Sequence, residues 1–199
     1  ILIIFISMLA GMPIPLVPIQ LLILNLVTDG APALALGMEQ GDPDIMKRPP
    51  RAPREPVINR NMVISIIIIA AADTIAVLSL FAIALSRFPG NVMAAQTMAF
   101  TTLVCSELLR AYTSRSEQES LFSIGIFSNR WMVLATVSSF ALLLLMLYVP
   151  FLQPFTSTVA PGLTDWLVML PFILFAPIAA EITKVYIRSR AAGMVAAAV

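Results

Sequence analysis

Five runs of 20 or more mostly apolar residues, with the tail of a sixth at the start, constrain this chain more than any other feature. A hydrocarbon layer about 30 Å thick needs about 20 helical residues to cross it. No water is available there, so the backbone must bond to itself, and separate apolar runs do so as helices. The runs are residues 16–36, 62–86, 93–112, 131–151 and 165–187, and residues 1–10 form the end of an earlier helix. Gly11-Met12-Pro13-Ile14-Pro15 and Arg87-Phe88-Pro89-Gly90 punctuate them as turns. Charged residues make up 12% of the chain, against about 25% in soluble domains. The expected fold is an all-α membrane protein, a bundle of about six transmembrane helices in contact with the lipid bilayer. The chain opens on Ile1 within an apolar run, with no basic segment before it. That pattern is expected of a cut inside a helix rather than of a signal peptide, so a fragment of a longer chain is expected.

The basic residues orient the bundle. Residues 37–61 are polar and proline-rich, and read as an extended cytosolic loop. Eleven of the 12 Lys and Arg fall in that loop, after the 93–112 run, near the C-terminal end or at the adjoining helix ends. The exception is Arg87. That side is cytoplasmic by the positive-inside rule, and the alternation closes over six segments. Trp166 at one edge of the last run and Lys184, Tyr186 and Arg188 at the other are residues expected at those depths.

The polar hexapeptide Asn25-Leu26-Val27-Thr28-Asp29-Gly30 lies inside the 16–36 run. On an α-helix, positions i, i+3 and i+4 share a face, which groups Asn25, Thr28 and Asp29. An amide oxygen, a hydroxyl and a carboxylate are hard ligands for Ca²⁺, Mg²⁺, Mn²⁺, Na⁺ or K⁺. A carboxylate at membrane depth is costly and marks an ion path or proton relay. Gly30 and Pro32 weaken the helix there and can free backbone carbonyls as further ligands. The blander reading of Asn25 and Thr28 is hydrogen bonding to neighbouring helices.

Two more carboxylates lie at membrane depth. Glu107 can approach Asp29 from a neighbouring helix, or pair with Arg110 at i+3. Asp73 follows Ala70-Ala71-Ala72, and is expected to bond to a facing helix through Thr74 or a backbone group. Gln20 and Gln96 are read as interfacial, and Glu181 with Lys184 as a structural i,i+3 pair. His is absent, which excludes His catalysis and His metal sites. The single Cys105 is read as apolar filler. A net charge of +1 argues against a nucleic-acid partner. No GxxxxGK[ST] phosphate loop or GxSxG elbow occurs, so these residues neither hold nor hydrolyse ATP by themselves.

Pro18-Ile19-Gln20-Leu21-Leu22, leading into Asn25-Leu26-Val27-Thr28-Asp29-Gly30-Ala31-Pro32-Ala33-Leu34-Ala35-Leu36-Gly37, resembles the sixth transmembrane helix of P-type Ca²⁺-ATPases. Asp42-Pro43-Asp44-Ile45-Met46-Lys47-Arg48-Pro49-Pro50-Arg51 is similar to that family's loop between helices six and seven, and Ser114-Arg115-Ser116-Glu117 also fits. The resemblance covers essentially the whole chain, from the end of helix five through helix ten.

The resemblance implies the cation-binding membrane part of an ATP-driven pump with an aspartyl-phosphate intermediate. It makes Asn25, Thr28 and Asp29 the helix-six ion ligands, and Glu107 the acidic ligand of helix eight. It makes Asp42, Asp44, Lys47, Arg48 and Arg51 part of a loop coupling phosphorylation to the ion sites. Asn25 stands where Na⁺/K⁺ and H⁺/K⁺ pumps tend to have Asp, and Gly30 where they tend to have Met. Both departures favour Ca²⁺. The implied partners are helices one to five and the phosphorylation, nucleotide-binding and actuator domains, which would bind ATP and Mg²⁺. Neither the catalytic aspartate motif nor the helix-four and helix-five ligands occur in these residues, so catalysis belongs to the full-length protein. Compact turns point to a prokaryotic plasma membrane. The competing readings are a Na⁺/K⁺- or Mn²⁺-transporting P-type ATPase, a secondary cation/proton exchanger using the same broken helix, and a structural membrane module.

Overall fold

A computed structural model describes residues 1–39, 58, 60–115 and 125–196. All regular structure among them is helical. The helix α1 (Leu2–Leu9) ends at Gly11, whose φ of 68° suits a residue without Cβ. The chain then enters α2 (Pro18–Leu24), with proline at the first helical position, where no donor is lost. A π turn (Asn25–Gly30) follows, and then α3 (Ala31–Gly37). The remaining helices are α4 (Arg60–Arg87), α5 (Val92–Thr113), α6 (Arg130–Tyr148), the short α7 (Gln153–Thr156) and α8 (Leu163–Ala196).

Among the described residues, α4, α5, α6 and α8 each contain a stretch long and apolar enough to span a bilayer. The chain is an integral membrane protein. The α2–π–α3 unit replaces the single helix expected over 16–36. The last helix runs well past the expected 187, and the expected 131–151 helix stops at Tyr148. Pro150 lies just past that end, where proline cannot continue a helix.

The bundle is built around α5. Its most apolar window is 67% buried, against 28–39% for the other three spans, so α5 is the inner helix and the others face outward. It packs on α4 and α8, which also pack on each other. Leu80, Phe81, Phe100, Val104, Met169 and Ile173 form the centre of that contact. Small polar residues on α5, namely Thr97, Thr101, Thr102 and Ser106, are also buried, as expected where membrane helices approach closely. Large apolar side chains on the outer faces, such as Ile67, Leu134, Val137 and Ile178, are exposed. In water such surface would drive aggregation, but in a bilayer it meets lipid tails.

Polar contacts tie the end of α4 to the start of α8. Arg87 forms a 3.3 Å ion pair with Asp165 and donates to Thr164 Oγ1 at 3.1 Å. Arg87 therefore has partners where α4 ends and α8 begins. Trp166 donates to the Tyr148 hydroxyl at 2.7 Å, which donates to the Pro161 carbonyl at 2.9 Å. This aromatic pair joins the end of α6 to the start of α8.

Candidate functional site

The interruption of the α2–π–α3 unit falls on the hexapeptide Asn25–Gly30. A π turn bonds i to i+5, one residue wider than an α turn, and such turns are frequent at functional sites. The local sequence favours it. Pro32 has no N–H to give the Thr28 carbonyl in an α ladder, and Gly30 is a weak helix former. The α-helical i, i+3, i+4 register expected for Asn25, Thr28 and Asp29 is therefore replaced by a wider one. Asn25 is exposed on this chain. The turn packs against α5 and α6, so the element carrying Asn25, Thr28 and Asp29 adjoins the helix carrying Glu107.

Glu107 makes the i+3 contact with Arg110, at 3.5 Å. On its other side Arg110 reaches Asp73, with Nε 3.7 Å from Oδ2. Ser106 Oγ donates to Asp73 Oδ1 at 2.9 Å. Asp73 thus bonds across to α5, but not through Thr74, whose hydroxyl donates to the Ala70 carbonyl of its own helix at 2.7 Å. The partner escaped the sequence reading because Ser106 lies 33 residues away, on a different helix. Cys105 is buried, in keeping with a filler role, and Glu181 pairs with Lys184 at 3.1 Å. Asp42, Asp44, Lys47, Arg48 and Arg51 lie outside the described residues.

Both halves of the interrupted helix are held by polar anchors that sequence reasoning missed. Near the start of α2, Gln20 is fully buried within the protein. Its amide nitrogen donates to the Ser157 carbonyl at 3.0 Å and to that of Thr156 at 3.5 Å. Its amide oxygen accepts from the Val17 N–H at 3.3 Å. Gln96 donates to the Ile14 carbonyl at 2.8 Å, tying α5 to the turn before α2.

Just past the C-terminal end of α3, Glu39 accepts two bonds from Arg115, 2.8 Å from Nε and 2.7 Å from an Nη. The Arg115 side chain is fully buried. It also donates to the Gly125 carbonyl at 2.8 Å and to Ser128 Oγ. Asn129 completes the cluster. Its amide nitrogen donates to Glu39 Oε2 at 2.8 Å and to the Ala35 carbonyl at 3.0 Å, one of the last four of α3. Its oxygen caps α6 by accepting from the Trp131 and Met132 N–H groups at 3.0 and 3.1 Å. The hydrogen bonds from Arg115 are the main cause holding the Glu39 carboxyl below its ordinary 4.5, with Asn129 adding to it against the opposing effect of burial. Beneath the cluster, Ala35, Met132 and Ala135 form a small separate apolar core with Leu36, Ala111 and Tyr112.

With this geometry in view, comparison with known proteins places the chain. The model of the family described as "Cation transporting ATPase, C-terminus" matches residues 13–186. The chain is 43% identical over 170 residues to a calcium-transporting ATPase of Bacillus subtilis, covering 85% of this chain and 19% of that protein. It is 33% identical over 184 residues to human calcium-transporting ATPase type 2C member 1, covering 92% of this chain and 20% of that one. It is 31% identical over 194 residues to calcium-transporting ATPase 1 of Bacillus cereus, covering 90% of this chain and 22% of that protein. The chain thus spans about a fifth of the length of these curated relatives. It belongs to the cation transporting ATPases, as a C-terminal transmembrane segment of the P-type, Ca²⁺-ATPase-like kind.

Proposed function

We propose that this chain is the ion-binding membrane part of an ATP-driven pump that exports Ca²⁺ from the cytoplasm, most simply across a prokaryotic plasma membrane. Asn25, Thr28 and Asp29 supply oxygen ligands from the π turn, and Glu107 supplies a carboxylate from α5. The remaining ligands come from helices that precede this segment in the full-length protein and pack on the exposed face at Asn25. ATP and Mg²⁺ bind in the cytosolic domains. Asp42, Asp44, Lys47, Arg48 and Arg51 form the loop through which phosphorylation there reaches the ion site.

One observation carries the reading. The break in an otherwise membrane-length helix coincides with its only cluster of hard oxygen groups, against the buried helix that bears Glu107. A π turn bearing amide, hydroxyl and carboxylate groups offers oxygen ligands to a cation at membrane depth, where an apolar α-helix offers none. Pumping needs the ion to bind differently in two conformations. Ligands on the π turn and on α5 lose their common geometry when the two halves of the helix move, which supplies that difference. Glu107 would then exchange its 3.5 Å contact with Arg110 for the ion. The names of the relatives favour Ca²⁺, while Mn²⁺ takes the same oxygens.

The test is ATP-driven ⁴⁵Ca²⁺ uptake into inside-out vesicles carrying the full-length protein. Uptake should require ATP and fall to background in Asp29→Asn. Uptake driven by a proton gradient without ATP would instead make the protein an exchanger. Unchanged uptake in the variant would remove Asp29 from the ion path.

A further inference from the structure

We infer that the Glu39–Arg115–Asn129 cluster is a positioning site for the transported ion: it fixes the cytoplasmic half of the interrupted helix against α5 and α6, and so sets the affinity of the oxygen groups on the π turn. The inference rests on the pump reading above and assigns the cluster no direct contact with the ion.

The α2–π–α3 unit is fastened at two points on two different parts of the bundle. Gln20 fastens α2 to the backbone of Thr156 and Ser157, at the outer end. Glu39, together with the Ala35 carbonyl, fastens the end of α3 to Arg115 and Asn129. The π turn lies between the two fastenings, so their separation and angle dictate its shape. The inner fastening is the stiffer one. A planar guanidinium grips a carboxylate through two bonds of 2.8 and 2.7 Å, a geometry that a lysine cannot reproduce. Asn129 makes the same side chain the cap of α6 and the partner of α3, so α6 cannot tilt without moving α3. The chain leaves this point directly into the proline-rich stretch 40–57. Force arriving along that stretch reaches Glu39 before it reaches the ion ligands.

The test uses the full-length pump in vesicles, titrating free Ca²⁺ against ATP-driven uptake. Glu39→Gln keeps the shape but loses the charge. It should raise half-saturating Ca²⁺ by about five- to tenfold, the range of ordinary coupling between sites, with the maximal rate per pump little changed. Arg115→Lys should shift it in the same direction, and the double variant should be no worse than the stronger single one, because both break one cluster. A purely structural role would lower the amount of pump and the maximal rate while leaving half-saturation in place, and that result overturns the inference.

Hydrogen exchange on the wild-type pump, with and without Ca²⁺, gives a readout that needs no variant. Amides of residues 31–39 and 125–129 should change protection together. A Ca²⁺ response in 31–39 with none in 125–129 also overturns the inference. Wild-type vesicles that take up no Ca²⁺ would remove the pump reading itself, and this inference with it.

Discussion

The central helix α5 and the turn that follows it carry two arginines with opposite habits. Arg115, just past the C-terminal end of α5, is fully buried, and its guanidinium is spent on Glu39, Gly125 and Ser128. Arg110, little more than one turn earlier, is a third exposed and stands 3.5 and 3.7 Å from two carboxylates. Its Nε is buried without a hydrogen bond. The first cluster is closed, and the second is loose. A buried ion pair repays its desolvation only when its geometry is excellent and its remaining donors are satisfied, which describes Arg115 alone. The closed cluster acts as an anchor. The looser one fits the proposal that Glu107 exchanges Arg110 for a cation.

Removing the arginine is the strongest way to break this contrast. Arg115→Ala removes both guanidinium bonds from the Glu39 carboxylate, leaving Asn129 as its donor in a largely buried place. It should destabilise the protein by about 3–5 kcal/mol, read as a lower midpoint of thermal unfolding in detergent. A shift no larger than that of an exposed arginine would show that the anchor is not one.

Gln20→Leu should cost less, about 1–3 kcal/mol, because it strands neutral carbonyls rather than a charge. The same melting experiment checks it, and a loss equal to that of Arg115→Ala would erase the distinction between the inner and outer fastenings. Asp73→Asn should have the smallest effect of the three, within about 1 kcal/mol. The amide can still accept from Ser106, while Arg110 keeps Glu107. A large loss there would mean that the loose cluster is as structural as the closed one.

Acid sharpens the comparison in a different way. The Glu39 carboxyl titrates below its ordinary 4.5, chiefly through the hydrogen bonds from Arg115. A depressed folded-state value means that the carboxylate stabilises the fold fully above the unfolded value, and loses that contribution as pH falls through the folded one. The destabilisation by Glu39→Gln should therefore be constant from neutral pH down to about 5 and shrink only below 4.5. Unfolding midpoints of both proteins across that range check it, and a difference that fades already near neutrality would contradict the closed geometry.

The helices were largely legible because the bilayer imposes length and hydropathy on each span. Boundaries expected at 62–86 and 93–112 lie within two residues of those found. The break at 25–30 was legible too, because Gly30 and Pro32 act locally. Its π register was not, since Gly30 and Pro32 signal a weakened α ladder without specifying which wider one replaces it. The fastenings themselves were invisible for a physical reason. Glu39, Arg115 and Asn129 sit in polar stretches that look solvated, and Glu39 meets Arg115 across 76 residues of chain. Gln20 looked interfacial because its partners are backbone carbonyls at 156 and 157, which no side-chain pattern announces. The short α7 at those carbonyls lies between the runs 131–151 and 165–187, where no element is expected from the sequence.

The central claim is that the interrupted helix holds a hard cation through Asp29, and equilibrium binding of ⁴⁵Ca²⁺ to the purified full-length protein, without ATP, tests it most directly. The account predicts saturable binding in the wild type and binding at least about tenfold weaker in a folded Asp29→Asn variant. Superimposable isotherms for the two proteins would contradict it.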